Sequence, residues 1–333
     1  MNIFDTILLS EINAPQLTNF IGQFIKILFD AIGNYGVTVI VFTIILKLIL
    51  SPLDIWQKMA TRKQSKSMAR LQPQMEKLQR QYANNPQMLQ MKQAELYRKE
   101  KVTSSMLASC LPMIVTMVVF FVVFGGFNAM VKYQNEMIVY EIYTGYIENP
   151  SMTNEELLAL YNQYAGEPYQ FLWIRNIFMP DSWAHAVPTV EEYVNRGMGG
   201  VGASLPSIMN ASDYTHIMAP AMAEYNTRWN GFMILPILSI VTTLLSTKFM
   251  QYTMPQQQTG TTEQQKQAQM SQKMMMIIMP IMIGIFSLFY SSAFSLYLFI
   301  SNLISTIFNL VFNIIARKKD LAEQDKEMET TYI

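Results

Sequence analysis

Residues Tyr35–Pro52 read YGVTVIVFTIILKLILSP. From Gly36 onward this run holds one charged side chain, Lys47, and it has the length needed to cross a hydrocarbon core, about 17–25 residues. Four more stretches share its character: Met106–Phe127, Gly231–Met250, Met274–Ser291 and Phe294–Ala316. The fold expected is therefore an all-α membrane protein with five transmembrane helices. Composition agrees, since 51% hydrophobic and 14% charged residues over 333 positions is too apolar a balance for an ordinary soluble domain. The last two spans are joined only through Ser291, Ser292 and Ala293, which makes them an antiparallel pair.

Basic residues near span ends stay on the cytoplasmic side, and they set the orientation. Segment 54–105 carries eleven lysines and arginines against Asp54, Glu76, Glu95 and Glu100, so it is read as cytoplasmic. Segment 128–230 is rich in acids, among them Glu155, Glu156, Glu191 and Glu192, and is read as outside. The N-terminus then lies outside and the tail 317–333, with Arg317, Lys318 and Lys319, inside. No signal peptide is expected over Met1–Asn34, because no basic start precedes an apolar run.

The polar segments have their own patterns. Gln16–Gly33 sets Phe20, Phe24, Ile27 and Leu28 against Gln23, Lys26 and Asp30, with Lys26 and Asp30 spaced i,i+4. This N-terminal amphipathic helix either lies in the outer interface, closing segment 1–35, or forms a sixth span. In segment 54–105, Met68, Leu71, Met75, Leu78 and Tyr82 form one stripe. Pro73 should kink or restart that helix, and Asn84, Asn85 and Pro86 should turn it into a second one over Gln87–Glu100, giving a cytoplasmic helical hairpin. Its methionines serve either simple packing or an adaptable surface. In the outer segment, Thr153 with Glu156 has the spacing of a capping box, and Pro188–Glu192 reads as another helix start.

Lys47 lies in a span of a chain whose five spans contain no aspartate or glutamate, and Asp54 is about two helical turns away. An ammonium at the centre of a span costs roughly 2.5–3.5 kcal/mol even on lenient scales, which leaves snorkelling, a wet cavity or an ion pathway. Thr43 and Ser51 flank it at i−4 and i+4. The last span has a stripe of Asn302, Thr306, Asn309 and Asn313, with Ser301 and Ser305 beside it, and these amides need partners or water. Ser109 and Thr116 add polarity to the second span, and Ser239, Thr242, Thr243 and Ser246 to the third. The lone Cys110 permits neither an intrachain disulfide nor a cysteine metal cluster, and both histidines, His185 and His216, fall in the outer segment. No cofactor, metal or catalytic residue is implied, and the protein is not expected to be an enzyme.

The chain resembles the YidC/Oxa/Alb family of membrane protein insertases, in several motifs and in the same order. These are Tyr35–Pro52, Arg70–Tyr82 (RLQPQMEKLQRQY), Tyr97–Glu100 (YRKE), Cys110–Met113 (CLPM), Phe171–Trp183 (FLWIRNIFMPDSW), Met274–Met282 and Ser301–Leu303. The resemblance implies a single insertase domain without a large periplasmic β-domain. It also implies a hydrophilic groove open to the cytoplasm, in which Lys47 takes the place of the usual arginine. Candidate groove residues are Lys47, Thr43, Ser51, Ser109, Thr116, Tyr297, Ser301, Asn302, Thr306 and Asn309; Tyr297 adjoins Leu298, where relatives often carry an aromatic residue. Thr116 replaces a common glutamine and Val118 a common proline. The implied function is movement of hydrophobic segments and short polar flanks from cytoplasm into the bilayer of the bacterial plasma membrane. Nascent membrane proteins would be its partners, with the ribosome and Sec translocon as candidates and no nucleic-acid sequence recognised. An assembly scaffold without insertase activity is the alternative, followed by an anion transporter or channel and a membrane-embedded enzyme.

Overall fold

The computed structural model describes residues 13–100, 102–197, 199–252, 270, 274, 277–278 and 281–331, with side chains at most of these positions. Their helices are α1 (Phe20–Ile32), α2 (Tyr35–Gln81), α3 (Pro86–Lys99), α4 (Val102–Glu148), α5 (Asn154–Ala165), α6 (Val190–Val194), α7 (Ala211–Tyr225), α8 (Ile234–Tyr252) and α9 (Ser292–Thr331). Among the described residues there is no strand, only an isolated bridge between Phe171 and Ile174.

Helix α2, residues Ile114–Glu148 of α4 and residues Ser292–Lys319 of α9 are each long and apolar enough to cross a membrane, and Ile234–Phe249 of α8 is a shorter apolar helix. Apolar side chains stand exposed along them, such as Leu48 and Ile49 on α2, Val118 and Phe121 on α4, and Ile307 and Ile314 on α9. That pattern suits lipid rather than water as the surrounding medium. The expected span Met274–Ser291 lies partly outside the described residues; within it, 281–287 are helical.

Three boundaries differ from those expected. Helix α2 runs through Pro52 and Pro73 without restarting, because each proline removes one ladder bond that the flanking turns outweigh. Helix α4 passes Phe127 and reaches Glu148. The charges Lys132, Glu136 and Glu141 mask a buried face of Phe127, Met130, Val131, Gln134, Asn135, Ile138 and Ile142, whose members recur every three or four residues. Helix α9 continues through the charged tail to Thr331.

The chain divides into two compact units, and the divisions fall within α2, α4, α8 and α9. One unit comprises Met1–Ile45, Phe121–Val241 and Ile281–Ser301. In it, α1 is capped at Asn19, whose side chain accepts from Gly22 N at 3.0 Å, and ends at Gly33 with φ 80°. Lys26 and Asp30 pair at 2.9 Å. Capping boxes start α5 at Thr153/Glu156, α6 at Thr189/Glu192 and α7 at Asn210/Asp213. The side chains of Tyr161 and Tyr225 meet at 5.5 Å between α5 and α7, and those of Tyr193 and Tyr214 at 4.9 Å between α6 and α7.

The irregular stretch Phe171–Trp183 is fastened to this unit by polar bonds. Asn230 accepts from Asn176 N at 2.8 Å and donates to the carbonyls of Asn176, Met179 and Pro180. At the start of α9, Ser292 N donates to Met179 O and Ala293 N to Ile177 O. Asp181, fully buried, lies across the start of α8. Its Oδ1 accepts from Phe232 N (2.8 Å) and Met233 N (3.1 Å), and its Oδ2 from Leu235 N (2.7 Å) and Trp173 Nε1 (3.3 Å). A carboxylate there satisfies donors that a helix start leaves open and faces the positive end of its dipole. Gly231 has to be glycine, since a Cβ would collide with Asp181.

Candidate functional site

The second unit comprises Leu46–Phe120, Thr242–Pro280 and Asn302–Ile333. Within it, Lys47 leaves α2 toward α9 and donates to Ser305 Oγ at 2.9 Å. Its Nζ is also 3.8 Å from Asp54 Oδ2, with side-chain exposures of 16% and 18%. The expectation that Lys47 lacks an acidic partner therefore needs correcting. Seven residues are close to two full turns, so Asp54 sits on the same face of α2, and a lysine stem long enough to lean along the helix axis closes the gap. The contact is an ion pair too long for a direct hydrogen bond.

The asparagines of α9 are engaged by α8. Asn302 donates to Thr243 Oγ1 (2.6 Å), Asn309 to Ser246 Oγ (3.0 Å) and Asn313 to Phe249 O (2.7 Å). Their spacing thus reads as an interhelical seam whose amide donors find acceptors on the neighbour. Thr306 bonds back to Asn302 O at 2.8 Å, leaving little polarity for a ligand. Ser51 bonds back to Leu48 O at 2.8 Å and is partly exposed. Thr116 is partly buried, and the side chain of Ser109 lies outside the described residues.

The other expected groove positions belong to the first unit. Thr43 is buried and bonds to Val39 O at 2.6 Å. Tyr297 is buried among aromatic rings, 5.5 Å from Phe127 and 6.0 Å from Phe294, and Ser301 is buried as well. In the second unit, then, the structure brings together Lys47, Asp54 and Ser305. Sequence reasoning named all three but assigned only the lysine to the site.

Ser51 and Asp54 also open onto a cavity of about 860 Å³ that follows α2 to Leu71 and α9 from Phe308 to Lys319. Lys58 stands 5.7 Å from the centre of the Phe308 ring, and Arg62 donates to Ala316 O at 3.0 Å. Ser51 and Asp54 separate Lys47 from the cavity's cations, which begin at Lys58 and are able to attract acidic groups electrostatically.

In expected hairpin segment 54–105, the turn is capped by Asn85, which accepts from Met88 N at 3.1 Å. Leu71 is buried, whereas Met88 and Met91 are exposed.

Comparison with known proteins gives a match between residues 27–319 and the model of a family described as 60Kd inner membrane protein. A membrane protein insertase YidC of Fusobacterium nucleatum is 40% identical over 111 residues, 32% of this chain and 51% of the relative. Those of Caldanaerobacter subterraneus and Clostridium perfringens are each 34% identical, over 105 and 107 residues, covering 32% of this chain and 48% and 42% of the relatives. The chain spans about half the length of the first relatives it matches.

Proposed function

The chain belongs to the family described as 60Kd inner membrane protein, and on that premise we propose that this multi-pass membrane protein is an insertase. It would move hydrophobic segments of nascent membrane proteins, with short polar flanks, from the cytoplasm into the bilayer. The observation that carries the reading is Lys47, a cation in an apolar helix that turns toward Ser305 and Asp54 rather than away from the protein. An acidic flank arriving there exchanges bulk water for an ammonium, which lowers the barrier to leaving water without any covalent step.

Five spans, an outside N-terminus and a cytoplasmic C-terminus complete the proposal. The basic excess of 54–105 and of Arg317–Lys319 supports that orientation. Helix α1, with its exposed Lys26–Asp30 pair, would lie in the outer interface, because burying that pair in lipid is costly. The two helices flanking Asn85 would form the cytoplasmic hairpin and meet nascent chains first. Ser51 would line the site with Lys47, while Asn302 and Asn309 hold α9 to α8 beside it.

The test is insertion of a single-span substrate with an acidic translocated tail by the purified protein in liposomes. Lys47→Arg should preserve insertion, and Lys47→Glu, which sets two carboxylates side by side with Asp54, should abolish it. Unchanged insertion by Lys47→Glu and Lys47→Met would refute the electrostatic role. Absence of insertion by the unmodified protein would favour an assembly scaffold.

A further inference from the structure

The cavity beside α2 and α9 has two chemically different walls. Along α2, Asp54, Lys58, Arg62, Lys66 and Arg70 recur at four-residue intervals, so successive members share a face and the row winds slowly about the helix, all five bordering the cavity. Along α9, Phe308, Val311, Phe312 and Ile315 present an apolar strip at the spacing of one helix face. Altogether six cationic side chains line the cavity, including Lys63 and Lys319, against two acidic ones, Asp54 and Glu100. Asp54 already faces Lys47. The volume, about 860 Å³, lies within the roughly 300–1,000 Å³ typical of small-molecule sites.

We propose that this cavity binds an anionic phospholipid of the leaflet next to the basic segment, with its phosphate on the α2 cations and its acyl chains along the apolar strip of α9. A soluble anion would use the cations and leave the strip idle, and a neutral lipid would do the reverse. An amphiphile with a negative head uses both. The position along the chain agrees: the cations begin just after the apolar run that ends at Pro52. On the cytoplasmic side, basic pockets between spans meet anionic headgroups, and each lysine or arginine near the surface contributes about 1 kcal/mol. The inference rests on α2 and α9 spanning a membrane and is independent of insertase activity.

Native mass spectrometry of the purified full chain in detergent, titrated with phosphatidylglycerol or phosphatidylcholine, tests it without any insertion substrate. The unmodified protein should retain phosphatidylglycerol in preference to phosphatidylcholine. Lys319→Gln should weaken that retention about fivefold, and the triple variant Lys63→Gln/Arg70→Gln/Lys319→Gln by more than about tenfold. Lys92→Gln/Lys99→Gln, which removes two α3 charges outside the cavity, should leave it unchanged. Circular dichroism identifies a triple variant that has misfolded, in which case Lys319→Gln alone decides. Equal retention of the two lipids, or no loss in Lys319→Gln, would overturn the proposal. So would displacement of the lipid by inorganic phosphate, which would assign a free anion, or by an acidic peptide, which would assign a polypeptide.

Discussion

If Asp54 competes with incoming carboxylates for Lys47, replacing it by asparagine should speed insertion of acidic substrates. At 3.8 Å, and with the effective dielectric of about 20 that suits protein sites, two unit charges attract by about 4 kcal/mol. Desolvation of both groups offsets much of this. If about a third survives as competition against an arriving carboxylate, the barrier falls by about 1.4 kcal/mol, a tenfold change in rate. Asparagine would keep the side chain's size, and the bond from Lys47 to Ser305, 2.9 Å long, would keep the ammonium in place. The assay is insertion kinetics in proteoliposomes for two substrates that differ only in an acidic or neutral tail, at low and high salt. Asp54→Asn should accelerate the acidic one and leave the neutral one unchanged, with the difference shrinking as salt rises. If it instead slowed the acidic substrate as Lys47→Met does, Asp54 would be holding Lys47 in position rather than competing for it, and the reasoning would fail.

Two further outcomes concern the first unit. Asp181→Ala leaves the buried N–H groups at the start of α8 without their acceptor; at about 1–3 kcal/mol for each unsatisfied buried group, a loss of about 3 kcal/mol is expected. Asp181→Asn should lose less, since its carbonyl can serve one pair of donors while its amide opposes the other. Hydrogen exchange at Phe232–Leu235 reads both, and exchange as slow as in the unmodified protein would contradict the capping role. Bonds from Thr153, first from its backbone and then from its hydroxyl, hold the Glu156 carboxyl below the ordinary glutamate range. Because the folded-state value is depressed, this contribution is fully present above that range and is lost as pH falls through the depressed value. Amide exchange in the first turn of α5 should therefore quicken on acidification; Thr153→Ala, which keeps the backbone bond to Glu156, should remove only the smaller hydroxyl part of that pH dependence, and Glu156→Gln all of it.

The long apolar helices were legible because the length needed to cross a bilayer acts over continuous stretches of chain. Lys47 stood out for the same reason, as one charge among apolar neighbours. Asp54 was discounted because its separation was measured along the helix axis, whereas angular position brings it under the reach of a long side chain. The capping box at Thr153 was read as such and the one at Thr189 as a helix start over Pro188–Glu192; the third, at Asn210, uses aspartate where the motif usually has glutamate or glutamine. The extension of α4 was hidden by three charges scattered over a buried periodic face. Nothing local announces Asn230 or Asp181, whose partners include backbone groups more than fifty residues away. Those pairings exist only once the chain has folded back on itself.

That distance in sequence also imposes an order in time. The carbonyls of Ile177 and Met179 wait for N–H groups on Ala293 and Ser292, more than a hundred residues later. Synthesis runs from the N-terminus, so the stretch Phe171–Trp183 can find Asn230 first but cannot receive its final clasp until the last helix has begun. The protein's own biogenesis therefore includes an interval in which this stretch of the first unit is assembled yet unlatched, and a chain truncated before Ser292 would stay in that open condition.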